Sequence, residues 1–162
     1  MITNYLSPLE FVVSVKRLPN VQFFTQKASI PSLSINPIDR ATPFKLLHET
    51  GDKLTYGELS LSFIIDEKMN NYIEIYDWMQ GIAFPEKFEQ YKNLEESEYG
   101  IRSDISIVIM NSHKNPNIEV SFKDCFPTNL GDVMLDTTST DVQYPEASVT
   151  FIHNGYTLKQ LK

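Results

Sequence analysis

The chain has 162 residues, a length typical of one domain with a full-sized core. Apolar residues make up 41% of it and charged residues 22%, and this composition excludes global disorder. The formal net charge of -7 disfavours a surface that neutralises many phosphates, so tight nucleic-acid binding is not expected. Positions 1–57 hold six basic and four acidic residues, whereas positions 58–162 hold eight basic and 17 acidic residues. This asymmetry weakly favours head-to-tail contacts.

Cysteine usage and hydropathy indicate the compartment. Cys125 is the only cysteine, so neither an intramolecular disulfide nor a multi-cysteine zinc site can form. The first five residues show no basic region followed by an apolar stretch, and no window approaches 18 consecutive apolar residues. We therefore expect a protein of a reducing compartment, with no signal peptide and no membrane span.

Most segments alternate between apolar and polar residues with a period of two, which predicts strands with one buried face. Residues 9–15 and 21–27 flank Leu18-Pro19-Asn20 and are predicted to pair as a hairpin. A third strand is predicted over 32–36 and a longer one over 53–65. Three further alternating sets lie at 105–109, 118–122 and 147–151.

One stretch changes its period. After Asp66, which is a good N-cap residue, apolar residues recur at helical spacing and predict a helix over 67–81. The residues predicted to be buried on the sheet are Met69, Ile73, Tyr76 and Met79. We therefore predict a mainly β (α+β) fold in which two packed antiparallel sheets, sandwich-like or barrel-like, are flanked by one α-helix within a single domain, 1–162.

Two connections are long for a compact domain. The loop at 36–52 places Phe44, Lys45, Leu46 and Leu47 outside any clear strand pattern. Apolar side chains left together in water mark interfaces, so this loop is predicted to be an inter-subunit element. Alternatively, Phe44 and Leu47 fold back over the core of their own subunit. The acidic connection at 84–103 is predicted to include a short helix near 86–94.

No catalytic motif is present. His48, His113 and His153 lie far apart and lack metal-binding spacing, and Cys125 is interpreted as a small buried apolar residue. Neither a nucleophile elbow nor a glycine-rich phosphate loop occurs. We expect no enzymatic activity, no metal and no cofactor.

The two best predicted strands carry a face of small polar and acidic residues opposite their apolar face. These residues are Glu58, Ser60, Ser62, Glu146, Ser148 and Thr150. A solvated sheet face explains this pattern, and a pore lining would look the same.

The segment Phe126-Pro127-Thr128-Asn129-Leu130-Gly131, followed by the strand at 147–151, resembles the C-terminal region of the major tail-tube proteins of contractile-tailed bacteriophages. Lys27-Ala28-Ser29-Ile30-Pro31, Gly51-Asp52-Lys53 and the helix end at 76–83 resemble further elements of that family, in family order. The resemblance covers nearly the whole chain and is loose over 84–117. Asp124-Cys125 departs from the usual glycine and apolar residue.

The resemblance implies a structural subunit whose sheets join those of five neighbours into a hexameric ring, with a continuous β-barrel around a lumen. Stacked rings would form the conduit for DNA during ejection, and the six polar residues named above would face the lumen. In the family turn, Pro127 would fix a turn and Gly131 would supply a positive φ.

Partners and location also follow from the resemblance. The implied partners are further copies of the chain, the tail sheath, the baseplate and the tube terminator, with DNA or a tape-measure protein passing without tight binding. The implied location is the virion tail, after assembly in the host cytoplasm. Two alternatives remain: the tube-initiator ring of the baseplate, and a β-barrel that binds a small ligand or acts as an enzyme.

Overall fold

The computed structural model describes residues 5–6, 9–83, 86–138 and 143–161, without the side chain of Phe23. In chain order the elements are β1 (Phe11–Val15), α1 (Pro19–Phe24), β2 (Thr25–Ala28), β3 (Leu33–Ile35), β4 (Ile38–Ala41), β5 (Leu46–Glu49), β6 (Leu54–Tyr56), β7 (Leu59–Ile64), α2 (Asn70–Ala83), α3 (Phe88–Glu95), β8 (Ser103–Met110), β9 (Pro116–Leu130), β10 (Glu146–Ile152) and β11 (Tyr156–Gln160). The predicted mainly β fold is confirmed, as is the short helix near 86–94.

The main sheet has the strand order β1-β8-β9-β10-β7-β2, with β11 also paired to β9, and every pairing is antiparallel. The strand β9 is 15 residues long and contributes to both layers of the fold. Its first part pairs with β8 and β11, and its last part pairs with β10. Among the described residues β1 and β2 do not pair with each other, so this sheet does not close into a barrel.

The core lies between the two layers and follows the predicted alternation. Each fully buried branched or aromatic side chain contributes about 1.5–3 kcal/mol relative to an exposed one. The apolar strand residues of the core are Val13, Val15, Leu59, Leu61, Phe63, Ile105, Ile107, Ile109, Val120, Phe122, Cys125, Ala147, Val149 and Phe151.

The helix predicted over 67–81 exists as α2, but the predicted buried face is wrong. Ile75 and Trp78 are buried, whereas Met69, Ile73 and Tyr76 are 36–49% exposed. Met79 is only partly buried. The buried residues and the exposed apolar residues of α2 both recur at helical spacing. The period alone therefore does not select the face that packs on the core.

A buried polar side chain fixes the rotation of α2. Asn71 is 0% exposed, and its Nδ2 donates a hydrogen bond to the carbonyl oxygen of Ile64 at 2.7 Å. Its Oδ1 accepts hydrogen bonds from the backbone N–H groups of Asp66 and Tyr72. Because a buried amide must be hydrogen-bonded, the side of α2 that carries Asn71 faces the end of β7. Asp66 lies four residues before the helix and is not its N-cap.

The predicted hairpin of residues 9–15 with 21–27 is also wrong. β1 pairs with β8 and β2 pairs with β7, while residues 19–24 form α1. Pro19 is favoured in the first helical turn, and the burial of Leu18 and Val21 follows helical rather than strand spacing.

The region 36–52 is not an irregular loop. It contains β4 and β5, which pair with each other in antiparallel orientation. The strands β3 and β6 on either side of them also pair with each other. We call residues 33–56 the arm. Every strand residue of the arm is exposed, so the arm projects from the two layers.

Candidate functional site

Five of the six polar residues predicted from the strand pattern lie on one face of β7 and β10, and the sixth, Glu58, directly precedes β7. Ser62 is directly opposite Ser148 and Ser60 is opposite Thr150, and residues directly opposite in an antiparallel pair share a face. Their neighbours Leu61 and Val149 are buried on the other face. Glu58 and Glu146 are exposed at the two ends of this region. We call this surface the polar face.

The polar face also carries a cation that the sequence pattern did not indicate. Lys27 of β2 pairs with Ser62, and its Nζ lies 3.2 Å from Oε2 of Glu146, across β7. The two side chains are 70% and 47% exposed, so the pair contributes at most about 1 kcal/mol. Knowing that β2 pairs with β7 would have placed Lys27 here, but the sequence favoured pairing with β1.

The segment Phe126–Leu130 is not a turn, because it forms the last part of β9. Pro127 pairs with Phe151, at the point where the register between β9 and β10 shifts. The positive φ in this part of the chain belongs to Asp124, at 55°, and not to Gly131. The predicted roles of Pro127 and Gly131 are therefore both wrong.

Gly131 is required by a close approach of two backbones. Its N–H donates a hydrogen bond to the carbonyl oxygen of Ser148 at 2.6 Å. A Cβ at this position would lie 2.6 Å from Oγ of Ser148 and 3.1 Å from its carbonyl oxygen. A larger residue here would require the side chain of Ser148 to move and the two backbones to separate slightly.

The layer with the polar face has two edges, and each is formed by a segment that carries the resemblance. One edge is β2, which includes Lys27 and Ala28 and pairs only with β7 among the described strands. The other edge is residues 126–130 of β9, because the pairing of β8 with β9 ends at Cys125. Exposed strand edges present backbone N–H and C=O groups to another chain.

The tip of the arm brings together the residues predicted to contact other subunits. Thr42 and Lys45 close the turn by a backbone hydrogen bond of 3.1 Å, and Phe44 is 97% exposed within it. Leu46 and Leu47 follow in β5 and are 52% and 37% exposed. The alternative in which Phe44 and Leu47 fold back over their own core is therefore wrong.

Aromatic rings hold the base of the arm against the two layers. Tyr56 of β6 lies 5.6 Å from Tyr156 and 5.8 Å from His153 between ring centroids. The hydroxyl of Tyr156 donates a hydrogen bond to the carbonyl oxygen of Pro31 at 3.2 Å, just before β3. These contacts fix the arm where it leaves the layers.

The described residues show no catalytic or metal site. His48 is exposed, and its Nδ1 lies 2.6 Å from Oδ1 of Asp39. His113 is also exposed, whereas His153 is buried among aromatic rings. No group of three His, Cys, Asp or Glu within the described ranges is placed to hold a metal ion. Burial raises the pKa of the Cys125 thiol to about 12, so it is a poor nucleophile. None of the helices in the described part of the chain is long and apolar enough to cross a membrane.

Comparison with known proteins identifies the family. Residues 7–159 match the family model described as phage tail tube protein. The chain belongs to the phage tail tube protein family. This tail tube family protein is also 34% identical over 88 residues to the tail tube terminator protein of Enterobacteria phage T4. That alignment spans 51% of the chain and only 50% of the T4 protein.

Solved structures support the same fold. The tube-terminating cap of the anti-feeding prophage superposes with a TM-score of 0.70 at 16% identity, over 99% of this chain and 95% of that one. A chain of the sheath–tube complex of the extracellular contractile injection system PVC gives a TM-score of 0.68 at 16% identity, over 97% of this chain and 93% of that one. Because the matched family is that of a tail tube protein, the prediction that this chain is a structural protein and not an enzyme is confirmed.

Proposed function

We propose that this protein forms the wall of a phage tail tube, with six copies in each ring and with rings stacked into a conduit for DNA. The observation that carries the proposal is the polar face, which spans β7 and β10 and lies between two strand edges that pair with no further strand in the described part of the chain. Membership of the phage tail tube family supports it.

The chemistry of the polar face suits a lumen through which DNA passes. Ser60, Ser62, Ser148 and Thr150 offer hydroxyl groups, which do not hold phosphate by charge. Glu58 repels it, and Lys27 and Glu146 form an ion pair with no net charge. Because cations on a surface bind nucleic acid by releasing its counterions, a conduit with few free cations would not retain DNA. A tape-measure protein would pass along the same lining.

The two edges of this layer provide a means of closing the ring. If residues 126–130 of one copy pair with β2 of the next, the contact joins unlike surfaces and repeats around an axis. The edge β2 is only four residues long, so additional contacts must specify the partner. The arm, through Phe44, Lys45, Leu46 and Leu47, would supply such contacts between copies.

The remaining partners belong to the same proposal. Solved relatives include sheath–tube, baseplate and terminator assemblies of contractile injection systems. We infer that this chain likewise contacts a sheath, a baseplate and a tube terminator in the virion tail, after assembly in the host cytoplasm.

A terminating ring is the second candidate function. It is favoured by the 34% identity with the T4 tail tube terminator over half of the chain. The ability of the purified protein to form long tubes distinguishes the two functions. A repeating subunit alone polymerises into long tubes in negative-stain images, whereas a terminator alone forms single rings and stops the growth of tubes to which it is added.

The position of the polar face is tested by labelling Ser148→Cys. Ser148 is exposed, so the unassembled variant should react with a small maleimide and with a maleimide coupled to a protein. In tubes, only the small reagent should enter the lumen. The wild-type protein serves as the blank, because Cys125 is buried. Reaction of assembled tubes with the protein-coupled reagent would show that the polar face does not line the lumen.

A further inference from the structure

We propose that the tip of the arm of one copy docks into an apolar groove of the next copy. The inference rests on the proposed function, since it names the site that receives the arm within the assembly. It assigns a binding site to a part of the chain beside the Glu146 end of the polar face and away from the aromatic base of the arm.

The groove lies where α1, the end of β7, the segment before α2, the segment after β9 and the segment before β10 meet. Its volume is about 660 Å³. Its apolar walls include Phe24, Ile65, Met69, Val133, Leu135 and Tyr144. Leu135 and Tyr144 are 85% and 71% exposed, so the groove presents apolar surface to water. Such a surface marks an interaction site.

The arm tip matches the groove in size and polarity. Phe44 is 97% exposed, and a cavity of about 150 Å³ is enough to hold a benzene ring, so the groove has room for this side chain and its neighbours. Lys45 adds a positive charge directly beside the ring. Asp66 and Glu67 line the groove and provide the complementary negative charge.

The topology places the arm and the groove at opposite ends of one strand pair. The arm leaves after Ala28 of β2 and returns just before Leu59 of β7. The groove includes Phe24 and Ile64, which lie at the other ends of the same two strands. The six residues of β7 alone separate these ends by roughly 20 Å. The strands β4 and β5 of the arm are exposed throughout, so they do not pack against β2 and β7.

The contact is therefore head to tail. Each copy offers its arm at one end and its groove at the other, so every arm can dock on a following copy and every groove can accept a preceding one. A contact between unlike surfaces adds copies without limit unless the geometry closes. This property distinguishes it from a two-fold contact, which ends at a dimer.

Disulfide cross-linking between copies tests this head-to-tail arrangement directly. In assemblies of the double variant Phe44→Cys/Leu135→Cys, oxidation should give a ladder of covalent multimers on a non-reducing gel. A mixture of the two single variants should give dimers only, and each single variant alone should give none. The pair Phe44→Cys/Leu158→Cys is the control, because Leu158 is also exposed but lies on β11, away from the groove.

Charge reversal provides an independent test. Lys45→Glu should weaken assembly, raising the critical concentration several-fold, and so should Glu67→Lys. The combination Lys45→Glu/Glu67→Lys should restore most of the wild-type value. Lys45→Glu/Glu95→Lys should not, because Glu95 lies on α3, outside the groove.

The outcomes separate this inference from the proposed function. If wild-type protein forms rings or tubes but position 44 cross-links to 158 and not to 135, the groove is not the receptor and the tube function stands. The inference is also wrong if the 44/135 double variant stops at dimers. If wild-type protein remains monomeric at every concentration, the tube function and this contact are both refuted.

Discussion

Replacing Ile75 with alanine tests which side of α2 holds the protein together. Ile75 is 0% exposed and lies one turn before the buried Trp78. Truncating a fully packed isoleucine to alanine costs about 2–5 kcal/mol, because transfer free energy is lost and a cavity remains. The matched control is Ile73→Ala, two positions earlier, where the side chain is 46% exposed. We expect that change to stay within about 1 kcal/mol, since alanine also has the higher helix propensity.

The assay is unfolding in urea, followed by the fluorescence of the single tryptophan at a concentration below assembly. With a slope of about 3 kcal/mol per molar urea, the Ile75→Ala midpoint should fall by about 0.7–1.7 M. In thermal unfolding, about 2–4 °C per kcal/mol predicts a Tm lower by about 4–20 °C. Equal losses for the two variants would refute the assignment of the buried face, and an unchanged Ile75→Ala midpoint would show that the site is not packed.

Two further predictions concern the strands around the polar face. Gly131→Ala should destabilise the subunit by about 1–3 kcal/mol, because the new Cβ would lie 2.6 Å from Oγ of Ser148. Adding Ser148→Ala should recover part of this loss, and strictly additive unfolding free energies would contradict the proposed clash. Cys125 should resist iodoacetamide at pH 8 until the protein unfolds, since burial raises its pKa from 9.0 to about 12. The folded state favours the neutral thiol, so its contribution to stability is complete below about pH 9 and is lost towards pH 12. Wild-type protein should therefore lose more stability than Cys125→Ala over that range, and parallel pH profiles would refute this.

The sequence was informative wherever a strand buries one face. Ile105, Ile107, Val149 and Phe151 alternate with polar residues and are buried as predicted. In this situation the period of two follows directly from geometry, because successive side chains of a strand point to opposite sides. The six residues of the polar face were grouped correctly for the same reason, and their exposure to a lumen stays a prediction.

The errors arose where local pattern does not determine tertiary partners. Residues 21–24 alternate over too short a stretch to separate a strand from the helix α1. In the arm, β3 and β6 lie within the predicted strands 32–36 and 53–65, whereas β4 and β5 do not correspond to any predicted strand. Their apolar residues, such as Ile38 and Leu46, are exposed and so show no one-sided pattern. The rotation of α2 about its axis depends on the hydrogen bonds of Asn71, and the spacing of apolar residues does not reveal these bonds. The groove combines segments far apart in sequence, and no local signal marks it.

The order in which parts of the chain can fold follows from the sequence separation of their contacts. The arm is a hairpin of residues 33–56 whose pairings are all local, and hairpins form in about 1–10 μs. The pairing of β1 with β8 joins Phe11 to Ile109, and the groove requires both Phe24 and Pro145. Such long-range closures are slow, and during synthesis they must await the later residues. A nascent chain can thus pair the strands of its arm long before it has a groove, although Tyr156 fixes the base of the arm only later. Only a nearly complete copy can receive another.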